Sequence, residues 1–277
     1  HLQEGNHMKR YVVIVVLAVL AFFVLLPILW TFATSLKPLP EVNTFPPEWT
    51  SPNMSLQPYA DMFFYLPFST YTLNSLIVAL SATVLTLLIG SLAGFAFSRF
   101  QFPGKGLFLL VFLLSQMLPG ASVIIPLFQL LREVGLYDSL VGLTLIHTAI
   151  LLPFVIWLLY GFFTGIPKEV EDAALIDGCS RLQALRRVIL PLALPGLGAT
   201  GLFAFLGSWN EFFFALILTV SDNTRTIPVG IGLFVGEYSD VWNQMSAAAI
   251  LFSIPPLVLF LMMRRTFVKG LAAGALK

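Results

Sequence analysis

Long apolar runs, parted by short polar stretches, fill most of this chain. An α-helix needs about 20 predominantly apolar residues, at about 1.5 Å of rise each, to cross a bilayer. Six segments meet that requirement: 11–32, 73–97, 107–131, 140–163, 192–220 and the shorter 247–263. The pattern therefore predicts an all-α membrane protein with six transmembrane helices. The spans are not uniform. Pro119–Gly120 and Pro126 interrupt the third and Pro153 the fourth, where proline removes a backbone donor and favours a kink. Gly90/Gly94 and Gly161/Gly165 have the spacing that permits close helix approach, read here as packing within the chain.

One block breaks the apolar pattern. Residues 166–191, IPKEVEDAALIDGCSRLQALRRVILP, carry eight charges within 20 positions. A bilayer interior does not accept that density, so the block faces water. Pro167 suits a first helical turn, and Glu169, Glu171 and Asp172 follow where the helix dipole favours acids. Val170, Ala173 and Ala174 share one predicted face. Gly178 is placed to end this helix in a left-handed cap, and Ser180 to cap the next. There Leu182, Leu185 and Ile189 line the predicted apolar face, before Leu190–Pro191 enters the fifth span. Two helices this short are not stable alone. Their apolar stripe packs on the chain's own spans, lies in lipid headgroups, or docks on a separate subunit as a helix in a groove. The residues alone leave these open.

Charge sets the orientation. With the N-terminus in the cytoplasm, twelve of the 15 Lys and Arg fall on the inner side, and only Lys37, Arg132 and Arg225 on the outer side. Both termini and the 166–191 block are then cytoplasmic. The outer loops carry acids, including Glu41, Glu48, Asp138, Asp222, Glu237 and Asp240. The longest outer loop, 35–67, reads as an ordered outer cap or lateral segment rather than a domain. Only 10% of residues are charged, against about 25% in soluble domains. A net charge of +1 argues against a nucleic-acid partner. Residues 1–8, HLQEGNHM, read as an expression remnant or an upstream extension. Residues 9–277 form one transmembrane domain, whose first apolar run is too long for a signal peptide.

Chemistry is sparse. There is no phosphate-binding loop ending in Lys-Ser or Lys-Thr, so ATP hydrolysis is not expected of this chain. Cys179 is the single cysteine and reads as a packed small side chain. His147 reads as a satisfied structural histidine or a relay. Glu211 is the one acid deep in a predicted span, beside Trp209 and Asn210. Burying it costs about 2.5–3.5 kcal/mol, so it faces the bundle interior or water. It either joins helices or, with Asn210 and Trp209, lines a path suited to sugar hydroxyls and apolar sugar faces. Gln116, Asn74 and Ser208 are weaker members of the same set. An ion-coupled carrier would show paired intramembrane charges or an inverted repeat; a lone acid without a visible repeat does not fit one.

The polar block carries a resemblance. Asp172–Ala173–Ala174, three residues, Gly178, nine residues, then Val188–Ile189–Leu190–Pro191 resembles the EAA loop of ABC-importer permeases, with Asp172 in place of Glu and Val188 in place of Ile. SRFQFPGK (98–105), LPGASVIIPLFQLLREVGL (118–136), GSWNEFFFAL (207–216) and the tail VKGLAAGALK (268–277) resemble the carbohydrate branch, and among its members the maltose-type second permease. The resemblance implies a type I importer permease fold and an inner-membrane location in a bacterium or archaeon. It also implies a second related permease, a cytoplasmic ATPase dimer holding ATP and Mg²⁺, an extracytoplasmic solute-binding protein and a carbohydrate or polyol cargo. Glycerol 3-phosphate or another small polar solute is the alternative cargo. No cofactor is expected in this chain itself. By this resemblance Glu171, Asp172, Ala173, Ala174, Gly178, Leu182, Leu185 and Pro191 couple to the ATPase. Glu211, Asn210, Trp209 and Gln116 are the substrate-path set, although in this branch most direct substrate contacts belong to the other permease.

Overall fold

The computed structural model describes residues 2–65, 67–234 and 241–274, and among them there is no strand. Glu237, Asp240 and the last three residues of the tail motif lie outside the described residues. The chain forms two compact units. One comprises the residues up to Phe68 together with Ile231–Ile254; the other comprises Ser69–Gly230 and the residues from Pro255 onward.

In the first unit, α1 (Leu2–Ser35) contains a candidate span, Arg10–Ser35, in which an 18-residue window has mean hydropathy 3.4. The segment after it is stitched rather than loose. The Lys37 ammonium sits 5.0 Å from the Trp30 ring centre and donates to the Glu48 carbonyl. Trp30 meets Trp49 edge to face at 4.9 Å. Ser55 N donates to Leu36 O at 2.8 Å, and Ser35 and Tyr59 share a 2.8 Å hydrogen bond. Short helices α2 (Leu39–Val42) and α3 (Gln57–Tyr65) complete the segment.

The second unit is organised around α7 (Leu140–Thr164), which runs through Pro153 as one helix. On one side it packs with α4 (Phe68–Arg99). At Gly94 an added Cβ would lie 3.0 Å from the Tyr160 backbone nitrogen, and at Gly90 2.7 Å from Val155. The Gly90/Gly94 spacing is thus a close approach within the chain. Gly161 makes no such approach; a Cβ there would meet nothing within 4 Å. A core of Phe95, Val155, Leu159, Phe163, Leu185, Ile189 and Ala204 joins α4 and α7 to the end of the polar block and to α11 (Leu194–Trp209). A second core of Ile124, Leu131, Ile146, Phe214 and Leu218 joins α7 to α6 (Gly120–Glu133) and α12 (Phe213–Leu218).

Among the described residues four helices are long and apolar enough to cross a membrane, or up to six spans if each of two bent pairs counts as one. The bend in the third falls at the Pro119–Gly120 interruption expected from the sequence, whereas the bends of the fifth were not expected. The third is α5 (Lys105–Ser115) followed by α6 at 96°. Pro119 is extended there (ψ 131°), and its ring leaves it without the backbone donor that would continue the preceding helix. The segment Arg181–Leu192 meets α11 at 82°, with Pro195 near the start of the new helix. The fifth span then breaks a second time at Asn210–Phe212 before α12 resumes. The sixth span starts at Trp242, the first residue of α14 (Trp242–Gly274) and a few residues before 247. Helix α13 (Ile227–Leu233) lies between α12 and α14 in the chain.

Candidate functional site

The polar block folds as its cap residues dictate. Helix α8 (Lys168–Ile176) ends in a Schellman turn: Gly178 N donates to Leu175 O at 3.1 Å and Cys179 N to Ala174 O at 3.0 Å. Gly178 has φ +87°, the left-handed geometry predicted for it. Ser180 and Gln183 then form a reciprocal capping box over α9 (Arg181–Ala184).

Two details of this block differ from the pattern reading. The second helix is a single α-turn followed by a π turn, Leu185–Ile189, and the short α10 (Leu190–Leu192) that holds Pro191. In it Leu185 and Ile189 are buried while Leu182 is 65% exposed. The extra residue in the π turn sets Leu185 and Ile189 onto the core and leaves Leu182 off the stripe. In α8, Ala174 is buried as expected, Ala173 is exposed with Asp172, and Glu171 is buried instead. The reason is Arg99, at the end of α4. Its Nε lies 2.8 Å from Glu171 Oε2, and the two side chains are only 4% and 5% exposed. Arg99 Nη2 also donates to Ile166 O at 3.1 Å. Arg181 approaches the other Glu171 oxygen at 4.0 Å and lies over the Phe100 ring.

Asp172, Ala173 and Ile176 on α8 and Leu182 on α9 remain uncovered, with Ile176 86% exposed. A cleft of about 500 Å³ is lined by Ser180, Leu182, Gln183, Arg186 and Arg187. An exposed apolar pair flanked by charge, on a segment whose other side is pinned to the core, has the form of a docking face.

The second group of predicted residues gathers where two helices break. Glu211 is not inside a continuous helix. It precedes α12 and accepts hydrogen bonds from Phe214 N at 2.8 Å and Ala215 N at 3.0 Å, satisfying donors that a helix start leaves free. It also lies 3.2 Å from His147 Nε2, and His147 Nδ1 is 2.7 Å from Ser208 Oγ. Gln116, in the α5–α6 break, donates to Ile150 O at 3.0 Å, one turn along α7 from His147. Gly120, the first residue of α6, abuts Phe213 and Phe214 at the start of α12. Both breaks thus meet on α7, with Gln116 and Asn210 exposed there. Trp209 does not join them as an open face: it is buried and stacks on Phe205 at 5.5 Å. Asn74 lies elsewhere, donating to the carbonyls of Asn223 and Arg225.

Another tie holds the segment after α12. Asp138 Oδ1 accepts from Val220 N at 2.8 Å, Ser221 N at 3.2 Å and the Thr224 hydroxyl. Burial pushes this carboxyl up, but the hydrogen bonds outweigh it and hold it down at about 2. Neither Arg99 nor Asp138 was identified from sequence. Arg99 counted among the inner-side positive charges and fell within the 98–105 segment, and its pairing was not legible because its acid lies far along the chain.

Residues 86–272 match the family described as binding-protein-dependent transport system inner membrane component. The chain belongs to that family. Among its relatives is the diacetylchitobiose uptake permease DasC of Streptomyces coelicolor, 39% identical over 91% of each chain. The trehalose permease SugB of Mycobacterium tuberculosis is 37% identical over 92% of this chain and 93% of its own. The trehalose/maltose permease MalG of Thermococcus litoralis is 35% identical over 98% of each. A chain of a bacterial ABC transporter that imports alginate superposes with a TM-score of 0.77 at 22% identity, covering 95% of this chain and 97% of that one. The likeness places this chain in the ABC importer permease fold. It is a transport subunit of the membrane and not an enzyme.

Proposed function

We propose that this permease carries a sugar or related polyol into the cell, driven by ATP hydrolysis on a separate cytoplasmic subunit that grips α8 and α9. The observation that carries this reading is the split character of the 166–191 segment. Leu185, Ile189 and Glu171 root it in the α4–α7 core, while Asp172, Ala173, Ile176 and Leu182 face outward. A segment rooted on one side and open on the other transmits a push without deforming. Gly178 and Pro191 bound the rigid part. The sugar cargo rests on the relatives, whose names specify diacetylchitobiose and trehalose or maltose.

In this reading both termini and the 166–191 segment are cytoplasmic, in the plasma membrane of a bacterium or archaeon. ATP and Mg²⁺ sit on the ATPase dimer, a second related permease completes the pathway, and an extracytoplasmic binding protein delivers the sugar. Gln116, Asn210 and Glu211 face the pathway at the two helix breaks, where irregular backbone is tolerated because it borders a polar cavity or protein. Trp209 supports them from the core.

Uptake of a radiolabelled panel of disaccharides, chitooligosaccharides, polyols and glycerol 3-phosphate, in cells with and without the chain, tests the cargo. Loss of one sugar is expected. Loss confined to glycerol 3-phosphate, or no loss, overturns the sugar assignment. Co-purification of an ATPase that fails after Ile176→Asp and Leu182→Asp tests the docking face; binding that survives both changes overturns it.

A further inference from the structure

We propose that the Arg99–Glu171 ion pair is the contact that makes α8 and the end of α4 move as one body when the loop is driven. The inference deepens the proposed function and rests on its reading of α8 and α9 as the driven segment.

The geometry is specific. Arg99 is the last residue of α4, and the core side of α8 presents Glu171 to it. One guanidinium reaches two other elements at once: Nε lies 2.8 Å from Glu171 Oε2, a charge contact without hydrogen-bond alignment, and Nη2 donates to the Ile166 carbonyl, which follows the end of α7. The planar, forked guanidinium is suited to such bridging in a way an ammonium is not. Both side chains are withdrawn from solvent, so water does not screen the attraction as it does in a surface pair. Apart from this tie, the apolar anchoring of α8 is slight: Val170 packs against the core, Ala174 is buried and Leu175 is half-buried. Such slight apolar contacts do not fix the direction of a nine-residue helix. A buried ion pair does, because its strength depends on geometry.

The consequence concerns transmission. α9 and the π turn are already rooted by Leu185 and Ile189. α8, the half that carries the acidic and alanine motif, is rooted by charge. Arg99 and Glu171 are therefore positioning residues. They touch neither nucleotide nor sugar, and they determine whether displacement of α8 reaches the spans.

The test uses the full-length chain co-expressed with its ATPase and partner permease and reconstituted in nanodiscs. Cys179 is replaced by Ser, and spin labels are placed at the exposed positions Gln101→Cys and Glu169→Cys. In the parent complex one narrow distance is expected, unchanged between the nucleotide-free state and the ATP–Mg²⁺–vanadate state. With Glu171→Gln the distribution should broaden, and substrate-stimulated ATP turnover should fall while the amount of co-purified ATPase stays the same. The reversed pair, Arg99→Glu with Glu171→Arg, should narrow the distribution relative to either single change, an effect that simple loss of stability would not produce. A Glu171→Gln complex that retains both its ATPase and the narrow distance overturns this inference alone. A parent preparation without ATPase overturns the loop reading, and this inference with it.

Discussion

His147 Nε2 stands 3.2 Å from Glu211 Oε2, tying the middle helix of the second unit to the break between α11 and α12. The same carboxylate caps α12 through Phe214 N and Ala215 N. The acid that looked costly inside a span is therefore supplied with donors from two directions, and the break it sits in is what brings those donors to it.

Glu211→Ala removes the cap and the His147 partner together. The orphaned amides raise the cost to about 1–3 kcal/mol, seen as a lower thermal midpoint in detergent by tryptophan fluorescence. Glu211→Gln, which keeps one acceptor oxygen, should fall between. Glu133, exposed at the end of α6, should tolerate alanine within about 0.5 kcal/mol. Equal midpoints for the Glu211 and Glu133 variants would remove the structural role given to Glu211.

Gly178→Val should uncouple the transporter. A β-branched residue at φ +87° is strained by about 1–2 kcal/mol, and relief comes by reshaping the turn between α8 and α9. ATP turnover per sugar imported should rise. Gly178→Asn should be milder, because asparagine tolerates this region. Wild-type coupling in the valine variant would show that the turn is not needed for transmission.

The α4–α7 contact predicts opposite outcomes for two glycines. Gly94→Ala places a methyl 3.0 Å from backbone of α7, which forces the helices apart at a cost of about 1–3 kcal/mol. Gly161→Ala meets nothing within 4 Å and should be neutral or mildly stabilising, since alanine is the better helix former. Thermal midpoints of the two variants check this directly.

Asp138 gives a pH signature. Its carboxyl lies at about 2, below the ordinary 3.8. A depressed folded value means that the stabilisation is complete above the ordinary value and is lost as pH falls from about 4 toward 2. Protection of the Arg225 peptide bond from trypsin, assayed at neutral pH, should fall in Asp138→Asn. The pH dependence of the thermal midpoint between pH 4 and 2 should flatten in the same variant. An unchanged acid profile would mean that the tie to residues 220–224 contributes nothing.

Much of this architecture is legible in the chain because it is written locally. The number of spans follows from runs of apolar residues, the exposure of residues 166–191 from charge density, and the Gly178 turn and Ser180 cap from conformational preferences acting over a few positions. Leu182 marks where that reading stopped. Its spacing from Leu185 and Ile189 fits a regular helix, and a π turn of one extra residue removed it from the stripe.

The amino-acid sequence by itself determined what is apolar, what must meet water and where a helix starts or ends, since each depends on neighbouring residues and the solvent. Only tertiary packing decided that Glu171 is buried, that Arg99 is its partner, and that Glu211 closes a helix break against His147. These pairs lie 72 and 64 positions apart along the chain. An ionisable group's environment is set by whichever distant helix folds against it, and no local pattern carries that information.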